Sequence, residues 1–381
     1  MKIALVSPYD FAVPGGVNNH IEHLRDNFLR LGQEVRIIAP SSRPEQHRPE
    51  ELIIPVSRAI GIPASGSVAR ISLSLRLAPR VKRILEEERF DIVHVHEPFA
   101  PFLPMHVLRL SDAINVATFH SAKEGGNRWY LYGRRALKRW FRRLDGKIAV
   151  SPPAMRLISR YFPGYYNIIP NGVDVEHFEK AREPFPQYND GRPNILFVGR
   201  LEKRKGVKYL LQAFAEVKKQ MPEPRLLIVG PPTRASRGYQ RWVAETGLPD
   251  VEFIGFVSYD ELARYHHTAD IVCEPATGNE SQGIVLLEAM AAGRPLVASN
   301  IEGYASVVTH GVEGLLVKRK DGHALAVALL DLLANPDKRR RMGENGRRCA
   351  EQFRWERVSQ RVLSYYEQLE YERRTGLSLE E

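Results

Sequence analysis

Two cysteines in 381 residues, Cys273 and Cys349, supply neither a disulfide framework nor a thiolate metal pattern. They read as incidental or buried thiols of a reducing compartment, so cytoplasmic residence is expected. Long apolar runs are also missing. Nothing approaches the ~18 uninterrupted apolar residues of a membrane-spanning helix. The opening Met1-Lys2-Ile3-Ala4-Leu5-Val6-Ser7-Pro8 is too short in its apolar part for a signal peptide and reads as a buried first strand. Acidic residues are in deficit, 45 Asp and Glu against 55 Lys and Arg, a formal net charge of +10. That excess suits phosphorylated ligands, an anionic membrane surface or nucleic acid. No RNP, KH or helix-turn-helix pattern is present, so nucleic acid is not an expected partner.

The hydrophobic share, 43%, is ordinary for a globular chain, and the length predicts two domains. Short β-branched runs alternate with helical patterns, which predicts α/β architecture with parallel sheets. In the first half the strand candidates are Lys2–Ser7, Glu34–Pro40, Asp91–His96, Asn115–His120, Lys147–Ser151 and Asn167–Pro170. Helical patterns lie between them at Asn18–Leu31, Pro79–Glu88 and Pro153–Tyr161. A Pro-, Gly- and polar-rich stretch, Arg182–Pro193, reads as a linker. The second series of strands is Asn194–Gly199, Arg225–Val229, Glu252–Phe256, Asp270–Glu274, Pro295–Ser299 and Gly314–Val317. The expected domains are 1–185 and 186–354, two Rossmann-like doubly wound units facing across a cleft. Ligands of such folds bind beyond the strands' carboxyl ends. An amphipathic helix, Trp355–Arg374 within 355–381, is expected to cross back to the first domain.

Three motifs carry chemistry. Pro14-Gly15-Gly16-Val17 opens the first helix, where glycines admit a ligand to the backbone and the helix terminus favours an anion. Gly199-Arg200 with Lys205 follows the first strand of the second half, where a forked guanidinium and an ammonium suit a diphosphate. Glu280-Ser281-Gln282-Gly283-Ile284-Val285-Leu286-Leu287-Glu288 carries two carboxylates eight residues apart, about two helical turns if Glu280 begins a helix. They would then share a face and accept hydrogen bonds from sugar or ribose hydroxyls. Gly283 frees the N–H groups at the helix start. Glu288 stands in an apolar run, where a carboxylate is costly unless paired. Capping by Glu280 and a solvent-facing Glu288 is the bland alternative. In the first half, His94 and His96 end one strand and His120 another. His94 and His96 are expected to face apart, with no third ligand evident, so no metal site is expected. His94 reads as a structural group.

Together these marks, with Ile169-Pro170-Asn171-Gly172-Val173-Asp174, resemble the retaining glycosyltransferases of family 4, of the two-domain GT-B fold. Pro8-Tyr9, Gly66-Ser67-Val68-Ala69-Arg70, His94-Val95-His96-Glu97-Pro98 and Ala117-Thr118-Phe119-His120 make the chain most similar to the phosphatidylinositol α-mannosyltransferases. The resemblance implies a nucleotide-sugar donor, GDP-mannose, and a lipid acceptor. Arg200 and Lys205 would hold the diphosphate and Gly15 and Gly16 approach it. Glu280, with Ser281, Gly283 and Ile284, would contact the transferred sugar, Glu288 the ribose and Val257 the base. His120 would lie by the reacting centre, and Tyr9, Arg70 and Ser121 would line the acceptor side. No cofactor is implied for catalysis, with a divalent cation able to accompany the nucleotide. The chain carries Ala12 where those enzymes have an aspartate, Ser65 and Phe99 where they have asparagines, and Gln282 where they have phenylalanine. Lys123 sits shifted from their acceptor-loop lysine.

Basic residues Arg76, Arg80, Lys82 and Arg83, and a second cluster from Arg134 to Arg143 with Leu137, Trp140, Phe141 and Leu144, suit peripheral binding to the anionic inner face of the cell membrane. A helix stripe packing on its own sheet is the competing account of Trp140. Two other functions stay open here. A UDP-sugar-dependent relative with another acceptor would use the same donor site. A sugar-nucleotide epimerase would share the architecture and need no acceptor.

Overall fold

The computed structural model describes residues 1–64, 67–72, 74, 77–180 and 183–376. Ser65, Gly66, Arg76 and Arg182, named above, lie outside them. The chain forms two compact units, Met1–Asn171 with Trp355–Glu381, and Gly172–Arg354.

In the first unit, seven strands form one parallel sheet ordered β3-β2-β1-β6-β7-β8-β9. They are β1 (Lys2–Val6), β2 (Glu34–Ala39), β3 (Ile53–Pro55), β6 (Ile92–His96), β7 (Ile114–Phe119), β8 (Gly146–Ala149) and β9 (Asn167–Ile168). Between β3 and β6 an antiparallel hairpin pairs β4 (Ala59–Ala64) with β5 (Ser67–Ser72). Ile3, Leu5, Ile37, Ile92 and Val116 are buried on one face of the sheet and Ala4, Val6, Ile38, Val93 and Ala117 on the other. Both faces are covered, as parallel sheets require. One cover is the C-terminal helix Trp355–Thr375, whose Trp355, Val358, Val362, Tyr365, Tyr366 and Leu369 join the core of β1 and β7.

The second unit repeats the plan with six parallel strands ordered β12-β11-β10-β13-β14-β15. These are β10 (Asn194–Val198), β11 (Arg225–Val229), β12 (Val251–Gly255), β13 (Ile271–Glu274), β14 (Leu296–Ser299) and β15 (Gly314–Val317). In both sheets the order of connection therefore reverses beside a central strand, and ligands of such folds bind beyond the carboxyl ends there.

The unit boundary falls at Asn171 and Gly172, earlier than the expected 185. Val173, Val175 and Phe178 are the reason, because all three are buried in the second unit's core. Part of the expected linker is also packed: Tyr188 is buried there and its hydroxyl donates to Glu252 at 2.6 Å.

Candidate functional site

The second unit gathers charge at the carboxyl ends of β10 and β13. After β10 the chain turns through a short 3-10 helix, Lys203–Lys205, into the helix Val207–Gln220. Gly206 caps that helix at φ 75°, and a side chain there would run into the carbonyl of Pro275. This close approach brings Lys205 against the loop that follows β13. Lys205 Nζ lies 3.1 Å from Glu280 Oε1, with both side chains largely buried. Arg204 also pairs with Glu280 and donates to Glu202 at 2.9 Å. Arg200, half exposed, stands 3.8 Å from Glu202.

The helix predicted from Glu280 begins at Ile284, with Gly283 as its cap. Gly283 adopts φ 86°, and a Cβ there would meet the Tyr304 ring at 2.6 Å. Glu280 thus belongs to the loop before the helix, so the shared helical face expected for the two glutamates is not formed. Its cap, a glycine, offers no side chain to the helix start, and the Leu286 N–H turns back to the Gly283 carbonyl at 3.0 Å; a helix terminus of this kind favours an anion. Glu288 lies a turn inside. Its Oε2 is buried without a hydrogen-bond partner among the described residues, and His266 Nε2 is 3.8 Å away.

Beneath these groups lies Glu274, fully buried at the end of β13. Its Oε1 accepts the Val198 N–H at 3.1 Å, while Oε2 has no partner among the described residues. Burial pushes its pKa up to about 8, with Lys205 pulling it down and Glu280 and Glu288 pushing it up. Buried polar atoms without partners are rare in folded proteins and single out Glu274 and Glu288 as candidate site residues. Val257 follows β12, beside Phe256, whose ring is 71% exposed.

The first unit builds a second constellation. Gly15 caps the helix Gly16–Arg30 with no side-chain bond, and a Cβ at Gly15 or Gly16 would touch nothing. The space before this terminus is open. Glu97, buried at φ 49°, accepts the His120 N–H at 2.9 Å and the Ser121 hydroxyl at 2.7 Å. Burial raises its pKa, and those bonds oppose the rise. Tyr9, whose pKa burial and Glu97 raise, bridges to Ile71. Arg70 is exposed, and its carbonyl accepts the Asp10 N–H at 2.9 Å.

His94 and His96 do not face apart. Side chains two residues apart on a strand share a face, and these rings stack with centroids 4.4 Å apart. A third ligand also exists, because His20, His96 and His120 bring ring nitrogens within 4.8 Å of one another. His96 Nδ1 and His120 Nε2 are 2.9 Å apart, and His20 Nδ1 and Asn171 Oδ1 are 2.9 Å apart. Burial lowers the pKa of His20 to about 3 and holds those of His96 and His120 well below the usual value. All three rings are neutral at pH 7. His94 is structural, its nitrogens 2.5 Å from the Tyr366 hydroxyl and 2.6 Å from Thr118 Oγ1.

Two family models divide the chain between them. Glycosyltransferase Family 4 matches residues 14–177, and Glycosyl transferases group 1 matches 179–349. Across 96% of each chain, the sequence is 37% identical to the phosphatidyl-myo-inositol mannosyltransferase of Mycobacterium leprae. It is 34% identical to that of Mycolicibacterium smegmatis, over 96% of this chain and 94% of the relative. The chain belongs to glycosyltransferase family 4. Solved structures agree on the GT-B fold. A sucrose-phosphate synthase from Thermosynechococcus elongatus superposes with a TM-score of 0.78, at 24% identity, over 97% of this chain and 99% of that one. Anabaena HepE in complex with UDP gives 0.78 at 20% identity, over 96% and 100%.

Seen as a glycosyltransferase, the chain holds more site residues than its motifs announce. Arg204 sits in the run Lys203-Arg204-Lys205, where three adjacent cations gave no hint of which one would clamp Glu280. Glu97 lies inside a quoted motif, but only the fold shows it holding His120 and Ser121. Glu274, His266 and His20 carry no local signal and are brought in by tertiary contact; Asn171 lies inside a quoted motif, but only the fold shows it against His20.

The basic helices are likewise resolved. Arg80, Lys82 and Arg83 are exposed on the helix Leu77–Glu88, with Glu86 3.6 Å from Lys82. On the helix Arg128–Phe141 Leu137 is buried and Trp140 Nε1 donates to the Met105 carbonyl at 2.9 Å, while Trp129, Leu131 and Tyr132 are exposed. Arg143 donates to the carbonyls of Leu108 and Ser111. Trp140 and Arg143 therefore support the glycosyltransferase's own fold rather than an interfacial stripe. Among the described residues no helix is long and apolar enough to cross a membrane.

Proposed function

We propose that this glycosyltransferase moves mannose from GDP-mannose to phosphatidylinositol, with retention at the anomeric carbon. One observation carries the donor half of the reading. Glu280 is clamped by Lys205 and Arg204 immediately before an uncapped helix terminus at Gly283. Cations and a helix N-terminus for a diphosphate thus adjoin a carboxylate for sugar hydroxyls. Sugar and acceptor are taken from the relatives, whose names specify both inositol lipid and mannose.

In this reading Arg200 and Lys205 neutralise the departing diphosphate, and Gly15 and Gly16 leave the first helix terminus open to an anion. Glu280 orients the sugar with Ser281 and the backbone of Gly283 and Ile284. Glu288 holds the ribose and Val257 borders the base. Tyr9, Arg70, Ser121 and His120 serve the acceptor. The acceptor oxygen bonds to the anomeric carbon on the face from which the phosphate leaves. The bond to phosphate breaks, and the acceptor's proton passes to that phosphate. Stabilising the leaving charge is the main catalytic contribution. Two side-chain cations supply it, so no protein-bound cofactor is required, and a divalent ion can travel with the nucleotide. Arg80, Lys82 and Arg83 seat the enzyme on the anionic inner face of the membrane, each contributing about 1 kcal/mol.

Thermal stabilisation by GDP, UDP and ADP, with donor hydrolysis, tests the reading. At 100 times its Kd a nucleotide stabilises the fold by about 2.7 kcal/mol. GDP alone should do so, with slow hydrolysis of GDP-mannose. A shift with UDP instead discards mannose, and no shift with any nucleotide discards the donor site. For the membrane, triple replacement of Arg80, Lys82 and Arg83 by Ser should release the protein from phosphatidylserine vesicles at low salt. Equal pelleting of both forms would refute that role.

A further inference from the structure

We infer that His20, His96 and His120 form a binding site for one transition-metal ion of the zinc class, with three imidazole ligands and an open fourth position. The three side chains come from separate elements, the helix Gly16–Arg30, the end of β6 and the segment after β7. One ring nitrogen of each lies within 4.8 Å of the others. Tetrahedral zinc with bonds of 2.0–2.1 Å separates its nitrogens by about 3.3 Å. The pair His96 Nδ1 and His120 Nε2, at 2.9 Å, is already near that spacing. Small rotations of buried rings bring in the third.

The surroundings fit a metal as well as the distances do. His20 Nδ1 donates its proton to Asn171 Oδ1 at 2.9 Å, which leaves Nε2 with a free lone pair. An imidazole whose second nitrogen is held by a carbonyl oxygen is the usual form of a metal ligand. His96 and His120 hold one proton between their facing nitrogens. An ion takes that place, and the proton that held the bond moves to the same ring's other nitrogen, so both rings stay neutral. His96 Nε2, fully buried, has no hydrogen-bond partner among the described residues. Burial keeps all three rings uncharged, the ligating form. His94 does not join, because both its nitrogens are engaged. The donors are all nitrogen. Such a set favours Zn2+, Co2+, Ni2+ or Cu2+ over Mg2+ and Ca2+, which select oxygen. His20 and His96 are buried while His120 is partly exposed, so entry and the open position lie on the His120 side. There the ion occupies a ring that the proposed function gives to the acceptor. Inhibition of transfer by Zn2+ rests on that reading, whereas binding does not.

Titration of the full chain with Co2+ tests the site without relying on activity. Expected are one equivalent bound, the intense visible absorption of four-coordinate Co2+, and its loss on adding Zn2+. His20→Ala and His120→Ala should each abolish the absorption, and Asn171→Leu should weaken binding about 10–100-fold. The exposed His323 serves as a control, and His323→Ala should change nothing. Circular dichroism checks that each variant is folded. Should His20→Ala unfold, the partly exposed His120 decides alone. Only the pale absorption of six-coordinate Co2+, or a wild-type spectrum from folded His120→Ala, would overturn the proposal. GDP-mannose hydrolysis measured with chelator separates its failure from failure of the donor site.

Discussion

Arg200 and Lys205 differ in what they leave behind when removed. Arg200 is half exposed and only 3.8 Å from Glu202, so Arg200→Ala uncovers nothing buried. Lys205→Ala leaves Glu280 to Arg204, which already pairs with it. Both variants should keep the fold. Losing one preorganised charge contact to a developing anion costs roughly 2.7–4 kcal/mol. Each should then lower kcat by about two to three decades, with melting temperatures close to the parent. A near-normal kcat for either would remove that residue from the leaving-group role. At this scale the sequence displays Lys205 and Glu280, because cations after a strand and a carboxylate before a glycine are visible in the chain. It hides Glu97, whose meaning comes from its bonds to His120 and Ser121, and Glu274 and His266, whose meaning comes from burial and missing partners among the described residues. It also misleads at His94 and His96, where the two-residue period of a strand was misapplied.

Helix and strand limits show what local pattern can carry. The strands Arg225–Val229 and Gly314–Val317 are read to the residue, because each is a short apolar run with a clear polar or glycine start. The short edge strand Ile53–Pro55 and the hairpin of Ala59–Ala64 with Ser67–Ser72 were missed. Gly61 and Pro63 interrupt the hairpin's pattern, and proline ends the edge strand, so neither shows a strand signal. The boundary was misplaced because proline-rich composition suggested a linker where Tyr188 is packed. Two glycines at helix starts allow an element-level prediction. Gly283→Ala forces a left-handed residue against the Tyr304 ring, and Gly206→Ala drives a methyl into the Pro275 carbonyl. Each should cost more than the ~1 kcal/mol of an ordinary positive-φ alanine. The helix Ile284–Ala291 or the Lys205 loop must shift, so GDP should stabilise these variants less than the parent. Calorimetry with and without GDP measures both effects. If GDP stabilises Gly283→Ala fully, the N-terminus of that helix does not hold the nucleotide.

At the scale of the molecule, the two units carry buried groups of opposite pH sense. In the first, His20 and His94 have pKa values lowered to about 3 from 6.5, burial being the main cause. Unfolding returns them to the ordinary range, where they take up protons below pH 6.5. Their contribution is complete above that pH and is lost as pH falls toward 3. In the second, burial raises Glu274 from 4.5 to about 8. Its neutral form suits the fold, so its contribution is complete below pH 4.5 and is lost as pH rises through 8. For a fully buried carboxyl that is on the order of a few kcal/mol. Scanning calorimetry from pH 4 to 9 should show the first unit's transition falling on the acid side and the second's on the alkaline side. Glu274→Gln supplies an amide for the protonated acid and should flatten only the alkaline limb. Lys205 then loses a buried neighbour that ionises above pH 8, so the alkaline limb of GDP affinity should flatten as well. An unchanged alkaline limb in Glu274→Gln would mean that another group sets it, and that Glu274 is already ionised in the folded protein at neutral pH.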